Sequence, residues 1–386
     1  MMVPEPKAGA AKRSWSFASC QLDYSNGLPE CNTETIEKGC VRMSARKIRV
    51  LVVDDSAFVR EFISSKLSED EGIEVVGRAV DAYDARQKIE TLRPDVMTLD
   101  INMPQLDGIE FLRQLMPKDP LPVVVVSSVS SRVFDALNAG AVDFVTKSSL
   151  RDDSEQRRFI VELTTKIKIA SIAKIRQSKS AAARCTLKDG CLGPAVDNAI
   201  VAIGASTGGT EAVQTILKEL GKDLPGIVIV QHMPPVFTKL FAERLNSICA
   251  MEVKEAQDGD AVLPGRALIA KGGLHMTVVK KASGMYVECR EGEKVSGHCP
   301  SVDVLFSSVA KLKGVKSLGI ILTGMGSDGA KGLLEMRSAG ARTFGQDQQT
   351  CVVYGMPAVA HKIGAVETQL PIQEMAAKIY EWKNRL

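Results

Sequence analysis

Short apolar runs separated by amphipathic stretches recur in two blocks of this chain, and that alternation dictates parallel β-sheets covered by helices. In the first block the runs fall at residues 48–53, 74–79, 96–99, 123–126 and 142–145. Parallel strands cannot be joined by a tight turn, so each intervening stretch must carry the chain back as a crossover. A closing helical stretch, 159–175, places Ile160, Leu163, Ile167 and Ile172 near one face. In the second block the runs fall at 200–204, 227–230, 318–322 and 342–344, with a β-rich middle at 267–290 and helices after the first, second and fourth elements. Residues 176–197 between the blocks are small, polar and strand-free and read as a linker. Residues 1–45 carry no apolar period and read as a disordered extension; alternatively, the natural product starts at Met43. The expectation is an α/β protein with two doubly wound parallel-sheet domains, 46–175 and 198–386.

Composition narrows the function classes. The 386 residues carry 49 Lys+Arg against 46 Asp+Glu, a net charge of +3 without the clustered cations that phosphate backbones demand, so no nucleic-acid partner is expected. No apolar run approaches the ~20 residues that span a bilayer, and no apolar segment follows the first basic residues as a secretory signal would require. Nine cysteines without a C-x-x-C pair fit neither a disulfide framework nor a structural zinc site, and point to a reducing cytoplasm.

The strand ends carry the chemistry. Asp54 and Asp55 follow the first strand, Asp100 the third, Ser127 the fourth and Lys147 the fifth. In a parallel sheet all lie on one edge, where three carboxylates repel unless a cation joins them, and Mg²⁺ with oxygen ligands suits such a crevice. A carboxylate beside Mg²⁺ can accept a phosphoryl group, with Lys147 and Ser127 contacting its oxygens. The stretches Val52-Val53-Asp54-Asp55-Ser56, Leu99-Asp100-Ile101-Asn102-Met103-Pro104, Asp107-Gly108, Val126-Ser127-Ser128 and Phe144-Val145-Thr146-Lys147 resemble the flavodoxin-like receiver domain of two-component response regulators. That resemblance implies Asp100 as phosphoacceptor, Asp54, Asp55 and the Asn102 carbonyl as further Mg²⁺ ligands, and Ser127 and Phe144 as switch residues beside Lys147. Ser148 departs from it, standing where the family usually has proline.

The second block repeats the logic with different side chains. Gly204-Ala205-Ser206-Thr207-Gly208-Gly209 joins an apolar strand to a helix, His232 closes the next strand, and Asp328 follows the strand at 318–322. Three strands thus bring a nucleophile, a base and an orienting carboxylate to one edge. Ser206 would attack an acyl carbon, His232 would shuttle its proton, and Asp328 would fix the imidazole tautomer. Backbone N–H groups of Thr207 and Met325 are placed for an oxyanion hole. The chain order Ser, His, Asp is not that of α/β-hydrolases. His275, His298 and His361 read as hydrogen-bonding residues of the core or surface.

Residues 199–382 resemble the catalytic domain of the chemotaxis protein-glutamate methylesterases, on Ile203-Gly204-Ala205-Ser206-Thr207-Gly208-Gly209-Thr210, Gln231-His232-Met233-Pro234-Pro235, Pro300-Ser301-Val302-Asp303, Leu322-Thr323-Gly324-Met325-Gly326-Ser327-Asp328-Gly329 and Val353-Tyr354-Gly355-Met356-Pro357. The resemblance implies a Rossmann-like α/β esterase domain with a β-rich insertion. It further implies cytoplasmic hydrolysis of glutamate γ-methyl esters on chemoreceptor helices, with methanol released, deamidation of receptor glutamines, and a chemotaxis histidine kinase as phosphodonor. No cofactor for the hydrolysis is expected. Cys299 stands where that family commonly has arginine. The order of parts further suggests that the unphosphorylated receiver docks over the mouth holding Ser206. Two alternatives stay open: Gly324-x-Gly326-x-x-Gly329 with Asp347 as a dinucleotide-binding turn of an oxidoreductase, or a receiver joined to an inactive adaptor domain.

Overall fold

A computed structural model describes residues 46–128, 132–147, 152–175 and 198–386. The N-terminal extension with Met43, the linker and Ser148 lie outside the described residues.

The first block folds as β1 (Ile48–Val53), α1 (Ala57–Leu67), β2 (Ile73–Ala79), α2 (Ala82–Leu92), β3 (Val96–Asp100), α3 (Gly108–Leu115), β4 (Val123–Ser127), α4 (Arg132–Asn138), β5 (Asp143–Thr146) and α5 (Asp153–Ala170). The strands form one parallel sheet in the order β2-β1-β3-β4-β5. β3 and β4 are buried along their whole length, which is why they read as unbroken apolar runs rather than alternating ones. Helix starts are also local: the Asp81, Asp107 and Asp152 carboxylates accept first-turn N–H groups of α2, α3 and α5.

The second block contains β6 (Ala199–Ala205), α6 (Gly209–Lys218), β7 (Gly226–Gln231), α7 (Pro235–Ile248), β8 (Glu252–Glu255), β9 (Arg266–Ile269), β10 (His275–Lys281), β11 (Gly284–Arg290), α8 (Val302–Ala310), β12 (Lys316–Ile321), α9 (Ala330–Ser338), β13 (Arg342–Gln346), α10 (Met356–Lys362), β14 (Thr368–Leu370) and α11 (Ile372–Lys383). Seven strands form a parallel sheet in the order β14-β13-β12-β6-β7-β9-β8. The chain winds outward from β6 to one side and resumes at β12 on the other, so the reversal point lies between β6 and β12. Ligand sites of open α/β sheets gather at such a point, beyond the carboxyl ends of the strands. The β-rich middle divides: β9 enters the large sheet, whereas β10 and β11 pair as a separate antiparallel hairpin. β8 and α8 have no counterpart in the sequence reading, and His361 lies in the last turn of α10.

The two blocks meet through aromatic rings. Phe144 of β5 packs on Phe237 of α7 at 4.6 Å between centroids, and Phe134 of α4 packs on Phe237 and Phe241 at 6.4 and 5.5 Å. All four rings are buried. Each fully buried ring is worth roughly 1.5–3 kcal/mol. The flanking Arg244–Asp135 ion pair at 2.9 Å is partly exposed and adds little by comparison. The apolar cluster therefore dominates the contact between the blocks.

Candidate active site

At the carboxyl edge of the first sheet, Asp54, Asp55 and Asp100 bring ligand oxygens within 4.8 Å of one another. Lys147 Nζ lies 2.8 Å from Asp54 Oδ2 and 2.7 Å from Asp100 Oδ2. Burial opposes the Lys147 charge, yet the Asp100 and Asp54 hydrogen bonds outweigh it and raise its pKa. Burial raises the Asp54 pKa against the pull of Lys147. Asn102 donates its N–H to Asp100 Oδ1 at 3.3 Å, while its side-chain oxygen is held by Arg132, which also reaches Asp107. Ser127 is buried with its Oγ unpaired among the described residues, so a hydroxyl donor stands ready at the crevice. Converging carboxylate oxygens with a carbonyl nearby fit a hard divalent cation such as Mg²⁺. Phe144 turns from this crevice toward α7, and Lys166 Nζ sits 4.9 Å from its ring centre.

At the second edge, β6, β7 and β12 are neighbours, and the loops after them carry Ser206, His232 and Asp328. The turn after Ser206 needs glycine at 208, whose φ is +76° and where a Cβ would lie 2.6 Å from Val352. Gly324 allows the loop carrying Met325 to press on the serine: a Cβ there would stand 2.6 Å from Ser206 Cβ.

Asp328 sits at the start of α8. Its Oδ1 accepts from Ser301 Oγ at 2.7 Å and Asp303 N at 3.0 Å, and its Oδ2 accepts from Val302 N at 2.7 Å and lies 2.8 Å from His232 Nε2. Burial alone would raise its pKa, but the hydrogen bonds from His232 and Ser301, the His232 charge and the Val302 N–H hold it at about 2. An ionised carboxylate only accepts, so the shared proton resides on His232 Nε2 and the lone pair is on Nδ1. That Nδ1 is buried and unpaired among the described residues. Ser206 Oγ makes no hydrogen bond to it; the two residues are joined through the strands, with His232 N bonded to Ala205 O at 3.1 Å.

The Asp328 carboxylate titrates from an ordinary 3.8 when unfolded to about 2 when folded, so its contribution to stability is complete above about pH 4 and is lost as pH falls toward 2. Asp328→Asn is therefore expected to flatten the fall in melting temperature over that window, and an unchanged acid profile would show that the carboxylate is not held this way.

One residue of the site escaped the sequence reading. His298, in the loop between β11 and α8, lies flat on His232 with centroids 3.7 Å apart and planes within 4°. Rings stacked this way send their lone pairs parallel rather than toward one point, so His232, His298 and Asp328 do not make a tetrahedral zinc site despite their proximity. His275 is a core hydrogen-bonder as read, accepting from Ser301 N through Nδ1.

The first block reaches this second site. Thr207 Oγ1 donates to Asp143 Oδ2 of β5 at 2.8 Å, and Lys166 Nζ of α5 holds Asp143 Oδ1 at 3.0 Å. One small void at Ser206, walled by Asp143, Phe144 and Lys166 on the side of the first block, measures about 20 Å³. A larger cleft of about 780 Å³, also lined by Ser206, Thr207 and His232, opens outward between α5 and the His298 loop.

Fold and site together define a class: a response-regulator receiver joined to an α/β domain with a serine-hydrolase-like constellation. The profile of the response regulator receiver domain matches residues 50–159, and that of CheB methylesterase matches residues 201–379. A protein-glutamate methylesterase/protein-glutamine glutaminase of Syntrophomonas wolfei is 54% identical over 89% of this chain and 100% of its own length. Another of that description, from Syntrophotalea carbinolica, is 51% identical over 87% of this chain and 98% of its own. The crystal structure of the Thermotoga maritima CheB methylesterase catalytic domain is 38% identical, covering 48% of this chain and 99% of that one with a TM-score of 0.47. The chain belongs to the protein-glutamate methylesterase/protein-glutamine glutaminase family of chemotaxis response regulators. The dinucleotide alternative falls away: Asp328 spends its carboxylate on the α8 N-terminus and His232, which would set an anion against a pyrophosphate. The inactive-adaptor reading loses its support with the same family assignment.

Proposed function

We propose that this protein hydrolyses glutamate γ-methyl esters on the cytoplasmic helices of chemoreceptors and deamidates receptor glutamines, with Ser206, His232 and Asp328 as its catalytic residues. The observation that carries the reading is the polarised imidazole: Asp328, bound at the start of α8, accepts a hydrogen bond from Nε2–H and leaves Nδ1 as a base beside the β6 turn. Ser206 Oγ forms a bond to the ester carbon as its proton passes to His232 Nδ1. The C–O bond to methanol then breaks, and the proton leaves with methanol. Water, deprotonated by the same nitrogen, cleaves the acyl-serine and regenerates the hydroxyl; with glutamine, ammonia leaves instead. Backbone N–H groups of Thr207 and Met325 receive the oxyanion. Mass spectrometry of a methylated receptor fragment tests this: esters should return to carboxylates and glutamines become glutamates, and an unchanged fragment would refute it.

The receiver governs access. A chemotaxis histidine kinase supplies the phosphoryl group to Asp100, and Mg²⁺ held by Asp54, Asp55, Asp100 and the Asn102 carbonyl would offset the charge of its oxygens. Lys147 and Ser127 move toward the phosphoryl oxygens, and Phe144 couples that movement to the interface with α7. Support comes from the receiver side chains that wall the cleft at Ser206, namely Asp143, which accepts from Thr207 Oγ1, with Arg158 and Lys166 of α5. No described helix is long and apolar enough to cross a membrane, in keeping with action in the cytoplasm.

Asp143 is the polar latch of this arrangement. Asp143→Ala should raise ester hydrolysis by the unphosphorylated protein roughly five- to tenfold, because the contact favours only the docked state. An unchanged basal rate would show that Thr207 is not restrained through it.

A further inference from the structure

Asp328 fixes the edge of the His232 ring, but a single hydrogen bond leaves the ring free to rock about it. The face is fixed by His298, parallel to His232 within 4° at a centroid separation of 3.7 Å. His298 is itself held from three directions. Its N–H and carbonyl bond both ways with Val295 at 3.0 Å, and its Nδ1 lies 2.9 Å from the Ser296 carbonyl. Three residues further on, Ser301 caps α8 and donates to Asp328. One loop thus delivers both the face and, through Ser301, the edge of the imidazole's support.

We infer that His298 is a positioning residue for the hydrolysis, its ring face holding His232 in the plane that aims Nδ1 at Ser206 and covering the imidazolium formed during reaction. This rests on the reading of His232 as the base. A carbonyl only accepts, so His298 Nδ1 carries its proton toward Ser296, and the ring needs no second proton to stay in place. Burial, and then the charge of His232, lower its pKa, so it stays neutral and does not repel the transient imidazolium. A neutral aromatic face over a cation is attractive, whereas two stacked cations would not be. The ring face is the working part and the nitrogens are not, which separates this role from that of an acid, a base or a metal ligand.

The test uses the full chain, phosphorylated by a small phosphodonor with Mg²⁺, and a methylated receptor fragment. Wild type and Ser206→Ala are run first: activity in the first and none in the second establishes the underlying reading independently of His298. His298→Ala is then expected to lower kcat roughly ten- to a hundredfold with KM within about twofold, the signature of a misplaced base. His298→Phe, which restores a flat ring but no nitrogen, should recover kcat to within about fivefold of wild type, whereas His298→Gln should resemble alanine. A kcat for His298→Ala within about twofold of wild type would overturn the inference. So would phenylalanine no better than glutamine, since the nitrogens would then be the working part. Should the alanine protein melt early, the phenylalanine and glutamine pair alone decides.

Discussion

Ser206→Ala is expected to lower methanol release from a methylated receptor fragment by at least about a thousandfold while leaving the melting temperature within a degree or two of wild type. The hydroxyl makes no hydrogen bond among the described residues, so its removal strands no partner there, and Gly324 already approaches the Cβ that alanine retains. His232→Ala should be nearly as damaging, because a nucleophile without its base is as inert as a base without its nucleophile. The combination of lost rate and kept stability is the informative part. A variant that lost both would report a fold defect, and one that kept the rate within about tenfold would leave Ser206 outside the chemistry.

The second large effect concerns Asp100. A phosphoryl group brings about −1.5 to −2 charge to a crevice where Lys147 already bridges Asp54 and Asp100. Lys147 and Ser127, whose hydroxyl is unpaired among the described residues, are the groups free to follow it. β5 links the two ends of the device: Lys147 immediately follows it, while Asp143 and Phe144 at its start touch Thr207 and Phe237. A displacement of this strand at one end therefore bears directly on the contacts at the other. Phosphorylation can change activity only by its differential free energy between docked and open arrangements, and an order of magnitude in rate needs about 1.4 kcal/mol, within reach of a few charge-assisted hydrogen bonds. Asp100→Asn should keep the basal rate and lose stimulation by a phosphodonor with Mg²⁺. The fragment 197–386 should be active with neither, and a fragment slower than the unphosphorylated full chain would make the receiver a required activator.

Most of this arrangement is legible in the sequence because it rests on strand ends. A parallel sheet puts the residue after every strand on one edge, so Asp54, Asp100, Ser127 and Lys147 in one block, and Ser206, His232 and Asp328 in the other, meet by topology alone. What the sequence conceals is held by loops or by short elements of mixed pattern. β8 buries only Val253 between charged neighbours, too little alternation to announce a strand. The β-branched start of α8, Val302-Asp303-Val304, resembles a strand more than a helix, and only Ser301 signals the cap. With α8 unseen, the helix start that holds Asp328 was unseen too, and so was the placement of His298 three residues before the cap. The packing of Phe144, implied as a switch residue, on Phe237, and of Phe134 on Phe237 and Phe241, leaves no trace in the sequence, since no local pattern tells a ring buried within a domain from one buried between two.

The most direct test of a receiver-gated serine esterase is the rate of methanol release from one methylated receptor fragment, measured on one preparation before and after addition of a small phosphodonor with Mg²⁺. The bond from Thr207 to Asp143 and the packing of Phe144 on Phe237 beside Ser206 favour the docked arrangement and predict slow release before and an increase of at least about tenfold after, with no release by Ser206→Ala under either condition. Equal rates before and after, or release by Ser206→Ala, would contradict it.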